Sequence, residues 1–222
     1  MKFLRKIKHM EFENICGFDG VKDVIRRILD SEENFNLLLI GQAPSAKTLF
    51  LLGIIEARKA VYFNVYNQSV DMLDKQRPKI ICIDELDKMS KDFQNHLLDF
   101  LENGHMKDRI FHFEVQSCKV FATCTDISGL SKSMQSRFRR LHLAAYTEEQ
   151  FLEVAVRMLP KLKETTARMI GDQVWNQGNK DIRNLIIIGK LLRNVDGEEQ
   201  IDIETMTRRN RSVNPSFHTY LS

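Results

Sequence analysis

The chain has 222 residues, 43% of them hydrophobic and 28% charged, with a formal net charge of +3; this is ordinary for a globular protein with room for one full core and a small second domain. No apolar stretch reaches the roughly 18–20 residues a membrane span needs, and the basic segment Met1–Met10 lacks the apolar core and small-residue cleavage site of a secretory signal. Cys16, Cys82, Cys118 and Cys124 form no CxxC pair and have no histidine at ligand spacing, so reduced, mostly buried thiols in a cytoplasmic protein are expected, and a zinc site is not.

The charge is uneven. Lys2, Arg5, Lys6 and Lys8 at one end and Arg208, Arg209 and Arg211 at the other carry +7 together, leaving about −4 for the remainder. Such ends could touch nucleic-acid phosphates, but short basic termini are also common and inert.

In chain order, Val21, Val24, Ile25 and Ile28 recur at helical spacing after Ile15-Cys16-Gly17-Phe18. Leu37–Ile40 reads as a buried strand, and Leu49–Ile55 as a nearly all-apolar helix covered by a sheet. Val61–Tyr66 is rich in β-branched and aromatic residues and predicts a second strand, and Pro78 marks entry to a third, Ile80–Ile83. Ser90 is placed to cap a helix lined by Phe93, Leu97, Phe100 and Leu101 that ends at Asn103-Gly104. Arg109–Val115 alternates like a strand or hairpin arm, Lys119–Cys124 reads as another core strand, and Leu141–Leu143 as a short last one.

From Thr147 the pattern is helical only. Thr147 with Gln150 predicts a capping box, with further helices over about Lys163–Trp175 and from near Asp181. The expected fold is α/β: a phosphate-loop core with a mainly parallel sheet flanked by helices, plus a small all-helical lid. The expected domains are a basic segment over 1–13, the core over 14–145, the lid over 146–205 and a basic tail over 206–222.

Two motifs carry chemistry. Gly41-Gln42-Ala43-Pro44-Ser45-Ala46-Lys47-Thr48 lies between the first strand and the apolar helix, where the G-x-x-x-x-G-K-[ST] pattern means phosphate binding; Ala46 replaces its second glycine. Backbone N–H groups at a helix N-terminus answer clustered negative charge, Lys47 would reach the outer phosphates of ATP, and Thr48 would offer a hydroxyl to Mg²⁺. Were residue 46 to need φ > 0, alanine would cost about 1 kcal/mol. The second motif is Asp84-Glu85 at the end of the third strand. Asp84 would hold Mg²⁺, largely through water, and Glu85 would orient and polarise an attacking water. The rival role for this pair is to cap the next helix.

Together with Val120–Thr125, Ser136-Arg137-Phe138 and Asp181-Ile182-Arg183, these motifs resemble an AAA+ ATPase over about residues 14–195, on the side of the RuvB-type Holliday-junction helicases, their archaeal relatives and the clamp loaders. The resemblance implies that Thr125 senses the γ-phosphate, that Arg137 is an arginine finger reaching a neighbour's ATP, and that Arg183 is the lid's sensor arginine. It also implies that Ile15, Cys16 and Gly17 line the adenine pocket. A finger acting on a neighbour implies a homo-oligomeric ring, most often of six subunits. Thr125 could instead cap a turn, and Arg139 and Arg140 could make Arg137 part of a generic basic cluster.

Only a short segment separates Lys47 from Asp84, and neither the winged-helix region of the branch-migration motors nor the clamp-loader collar is expected after the predicted lid. DNA handling would then fall to the termini, to the 104–115 hairpin region or to a partner protein. The leading expectation is a Mg²⁺-dependent ATPase remodelling branched or recombining DNA. The alternatives are a protein-remodelling, chaperone-like ATPase and an ATP-binding assembly module with little turnover.

Overall fold

The computed structural model describes residues 12–42, 44–66, 78–103, 105–106, 109–110, 118–176 and 182–192. Ala43, Asp181, segment 111–117, both basic ends and the expected lid beyond Leu192 lie outside them. Two compact units divide the chain: one is built on Phe18–Ala144, the other on Glu13–Gly17 and the chain from Ala145.

In the first unit, helix α1 (Asp19–Asp30) leads to strand β1 (Asn36–Ile40), helix α2 (Lys47–Ala57) and strands β2 (Ala60–Phe63) and β3 (Ile80–Ile83). Helix α3 (Lys91–Asn103) precedes a short antiparallel hairpin, β4 (His105–Met106) with β5 (Arg109–Ile110). Strand β6 (Lys119–Cys124), helix α4 (Lys132–Ser136) and strand β7 (Arg139–His142) complete it. The central sheet runs β2-β3-β6-β1-β7 and every pairing in it is parallel. Parallel strands are buried on both faces, which explains their near-continuous Leu, Ile and Val content.

Side chains alternate along each strand, so registered strands present matching sets to each face. Leu38, Ile40, Val61, Phe63, Ile81, Ile83, Val120, Ala122 and Cys124 share one cluster with Phe93, Leu97 and Phe100 of α3 and with Met134 of α4. The opposite set includes Leu37, Leu39, Tyr62, Cys82, Phe121 and Thr123, all buried, as are Phe50, Leu51 and Ile54 of α2. Phe50 also takes edge contacts from Phe12 and Phe18, with ring centroids at 5.2 and 6.3 Å.

Three details differ from the expectation. In α1 the buried face is Lys22, Ile25, Ile28 and Leu29, while Val24 is exposed; Lys22 buries its stem and keeps its ammonium on Asp19 at 3.1 Å. Strand β2 stops at Phe63 rather than Tyr66, because the Asn64 side chain accepts the Tyr66 N–H at 2.9 Å and turns the backbone. Strand β7 begins two residues earlier than its apolar stretch. It lies at the sheet edge, where Arg139 and Arg140 stay exposed while pairing with β1.

The second unit holds helices α5 (Glu148–Met158), α6 (Glu164–Asn176) and α7 (Ile182–Leu192). Thr147 caps α5 with both bonds of the capping box: its hydroxyl accepts from Gln150 N–H at 3.3 Å and Gln150 accepts from Thr147 N–H at 3.1 Å. Helices α5 and α6 approach so closely at Gly171 that a methyl group there would meet Ala155 Cβ at 2.8 Å.

Candidate functional site

Because the sheet is parallel, the ends of β1, β3 and β6 open at one edge, where ligands of α/β proteins collect. The candidate residues after these strands come together there. Gly41 follows β1, its N–H donating to the Cys124 carbonyl at 3.2 Å. A Cβ at this position would sit 2.7 Å from the Leu143 carbonyl oxygen, so only glycine lets the loop leave the sheet here. Pro44, Ser45, Ala46 and Lys47 are buried, while Gln42 is exposed. Ala46 has φ −74°, so its methyl group brings no left-handed strain, and no side chain caps the helix that starts after it. Ala46 offers the first N–H groups of α2 no side-chain acceptor, and a helix N-terminus of this kind is a ready anion cradle.

Lys47, only 8% exposed, donates from Nζ to the Gly41 carbonyl and to Ser45 Oγ at 3.1 Å. Burial holds its pKa below the ordinary 10.5, against the opposing pull of Asp84, Glu85 and Asp87. Thr48 follows it in the first turn of α2, half-buried.

Asp84 continues β3 on the face shared by Tyr62 and Thr123. It is 3% exposed, and its two oxygens accept from Thr123 Oγ1 at 2.6 Å and from Tyr62 Oη at 3.4 Å. Thr123 Oγ1 also accepts the Glu85 N–H at 2.8 Å, so one buried hydroxyl fixes both members of the acidic pair. Glu85 adopts the left-handed conformation, φ 54° and ψ 51°, uncommon for a residue with a side chain and costly enough to mark a site worth inspecting. Its carboxylate takes Lys88 Nζ at 2.9 Å. A 3₁₀ turn over Leu86–Lys88 follows, with Leu86 fully buried as its plug.

Thr125 directly follows β6, half-buried; its carbonyl accepts Gln42 Nε2 at 3.4 Å and its N–H donates to Asp87 Oδ2 at 3.2 Å. Lys47, Asp84, Glu85 and Thr125 thus meet in one unit. Arg137 lies elsewhere on that unit, exposed, where Nε and Nη2 both donate to Glu102 Oε1 of α3. Ile15, Cys16, Gly17 and Arg183 belong to the second unit. There Ile15 and Cys16 are buried, Cys16 Sγ donates to Glu153 Oε2 at 2.8 Å, and Arg157 donates to the Ile15 carbonyl. Arg183 is the second residue of α7.

The donor set fits a magnesium–triphosphate ligand. Amides and an ammonium face the anion, and one buried carboxylate with a hydroxyl suits a cation that keeps most of its water. Thr123, Tyr62 and Asp87 were not candidates from sequence. Thr123 gave one signal, a lone hydroxyl inside an apolar strand, and Asp87 another, a third acid two residues past Glu85.

Residues 37–146 match the family model described as ATPase family associated with various cellular activities (AAA). The chain is similar to two mutant forms of RuvB from Thermotoga maritima, with TM-scores of 0.57 and 0.55 at 16% and 17% identity, covering 95% and 93% of this chain and 74% of each of those. That likeness is one of fold. In sequence it is 32% identical over 91 residues to Lon protease of Fusobacterium nucleatum and 30% over 92 residues to Lon protease 2 of Desulfotalea psychrophila. Each match takes in 37% of this chain but only 12% of the relative. With the phosphate loop, the acidic strand end and the strand-end threonine all inside the matched segment, residues 37–146 belong to the AAA family of ATPases.

Proposed function

We propose that this chain is a Mg²⁺-dependent ATPase that works as a homo-oligomer and remodels DNA, branched or recombining DNA above all. The observation that carries the hydrolytic part is the single hydroxyl of Thr123 holding Asp84 and the Glu85 backbone together beside Lys47. In this reading the backbone N–H groups of residues 45–48 and the Lys47 ammonium bind the triphosphate. Thr48 and Asp84 would hold Mg²⁺, which supplies charge neutralisation on the phosphates. Glu85 takes a proton from the attacking water, and Thr125 touches the terminal phosphate. Arg137 completes the site of a neighbouring subunit, and Ile15, Cys16, Gly17 and Arg183 are nucleotide-binding residues. The RuvB-like fold supports DNA as substrate, with the basic ends or a partner protein supplying contacts.

The sequence match to Lon favours a second reading, in which the same motor acts on polypeptide. The test is hydrolysis with four-way, single-stranded and duplex DNA against an unfolded protein. Stimulation by DNA alone supports the first reading, and by unfolded protein alone the second. In the same assay Glu85→Gln keeps nucleotide affinity and lowers turnover by at least about 10²-fold. Unchanged turnover removes Glu85 from the role of base.

A further inference from the structure

Two 3₁₀ turns lie against each other beside the candidate site: Leu86–Lys88, which follows the acidic pair, and Ile127–Gly129, which follows Thr125. Asp87 of the first turn fastens the second. Its Oδ2 accepts the N–H of Thr125 at 3.2 Å and of Asp126 at 3.0 Å, while its Oδ1 is buried with no hydrogen-bond partner among the described residues. The packing is tight: a Cβ at Gly129 would stand 3.0 Å from Asp87 Cβ and 3.1 Å from its carbonyl oxygen. Lys91 reinforces the junction by donating to the Gly129 carbonyl at 2.8 Å. The second turn is stiffened from within, since the Asp126 side chain accepts the Ser128 N–H at 2.8 Å. Gln42 of the phosphate loop donates to the carbonyl of the same Thr125 whose N–H Asp87 holds.

A buried carboxylate oxygen without a partner is expensive to keep in a folded chain, so this acid is a poor choice for stability alone. Its other oxygen collects two backbone donors from the residue at the end of β6 and the one after it. We infer that Asp87 is a positioning residue that clamps the β6 tip to the acidic turn, fixing Thr125 for recognition of the terminal phosphate. It touches neither substrate nor reacting atoms; it acts through Thr125. The inference rests on the ATPase reading above and adds to it the residue that sets preference for triphosphate over diphosphate.

The experiment compares Asp87→Ala and Asp87→Asn with the wild type, using ADP and a non-hydrolysable ATP analogue with Mg²⁺, binding measured by calorimetry. Asparagine keeps one acceptor oxygen for the two N–H groups and removes the charge. Asp87→Ala should lower the preference for the ATP analogue by about tenfold while ADP affinity stays within about twofold, and Asp87→Asn should restore most of it. An unchanged preference in Asp87→Ala, or an asparagine variant as impaired as the alanine one, overturns the assignment. Should Asp87→Ala fail to fold, hydrogen exchange on the wild type decides: the clamp requires protected amides at Thr125 and Asp126, and exchange at free-loop rates overturns it. Wild-type protein that binds neither nucleotide sinks the ATPase reading itself. Wild-type binding with an unaltered preference in the variants sinks only the role of Asp87.

Discussion

Lys47 holds a charge that its surroundings discourage. Burial lowers its pKa, and three carboxylates oppose that pull without cancelling it. In the folded protein Lys47 therefore gives up its proton below 10.5, whereas in the unfolded chain it does so near 10.5. The sign for stability follows: this group opposes folding while it is charged, and the penalty lifts as pH rises through the folded pKa towards the unfolded one. A triphosphate at the α2 N-terminus reverses the local field and favours the ammonium. Nucleotide binding should accordingly take up protons, increasingly so as pH climbs from neutral into that window. Calorimetry in buffers of differing ionisation heat measures this, and proton release on binding would contradict it. The identity of Lys47 was readable in the motif, but its electrostatic state was not, because it depends first on burial in the fold and then on acids more than thirty residues away. Thr123 was hidden for a similar reason: its value lies in register with Asp84, which only the β3–β6 pairing creates. Conversely, the missing second glycine brings no backbone strain, since Ala46 occupies a negative-φ conformation open to any residue.

Among the elements, those with local signatures were the most legible. The Thr147–Gln150 box and the Ser90 cap are visible in sequence because both partners lie within one turn. Strand β6 matches its apolar run residue for residue. Strand β7 did not, because pairing with β1 recruits Arg139 and Arg140, whose side chains find solvent at the sheet edge. The segment Glu13–Gly17, of which residues 14–17 were expected to open the core, groups with the helical unit. Its residues carry no period, and its affiliation is set by contacts with Glu153 and Arg157 far along the chain. The capping box offers a direct check at this scale. Thr147→Ala should cost about 1 kcal/mol in urea unfolding of the helical unit, whereas Thr147→Ser should cost only a few tenths. Equal losses from both would mean that the cap contributes through packing and not through its hydroxyl.

At the scale of the whole molecule, the proposed ring turns on Arg137. Its pairing with Glu102 is between groups 46% and 32% exposed, and surface pairs of this kind contribute under about 1 kcal/mol. A phosphate edge on an adjoining subunit can therefore displace Glu102 at little cost, leaving the guanidinium free for a neighbour's nucleotide. Arg137→Ala should lower turnover by about 10³-fold, and mixing it with Glu85→Gln subunits should restore part of the activity through hybrid interfaces. Rates measured across mixing ratios check this; a purely dilution-like response argues against a shared site.

The order of the central sheet has a consequence for biosynthesis. Strand β1 is made before both of its neighbours, β6 and β7, which are drawn from residues 119–142. While the polypeptide is still being translated, Leu37–Ile40 has neither flank covered and presents bare amides and greasy side chains to solvent. Ribosome-bound chains stalled before Lys119 should consequently depend on holdase chaperones, and that dependence should end once His142 has cleared the exit tunnel.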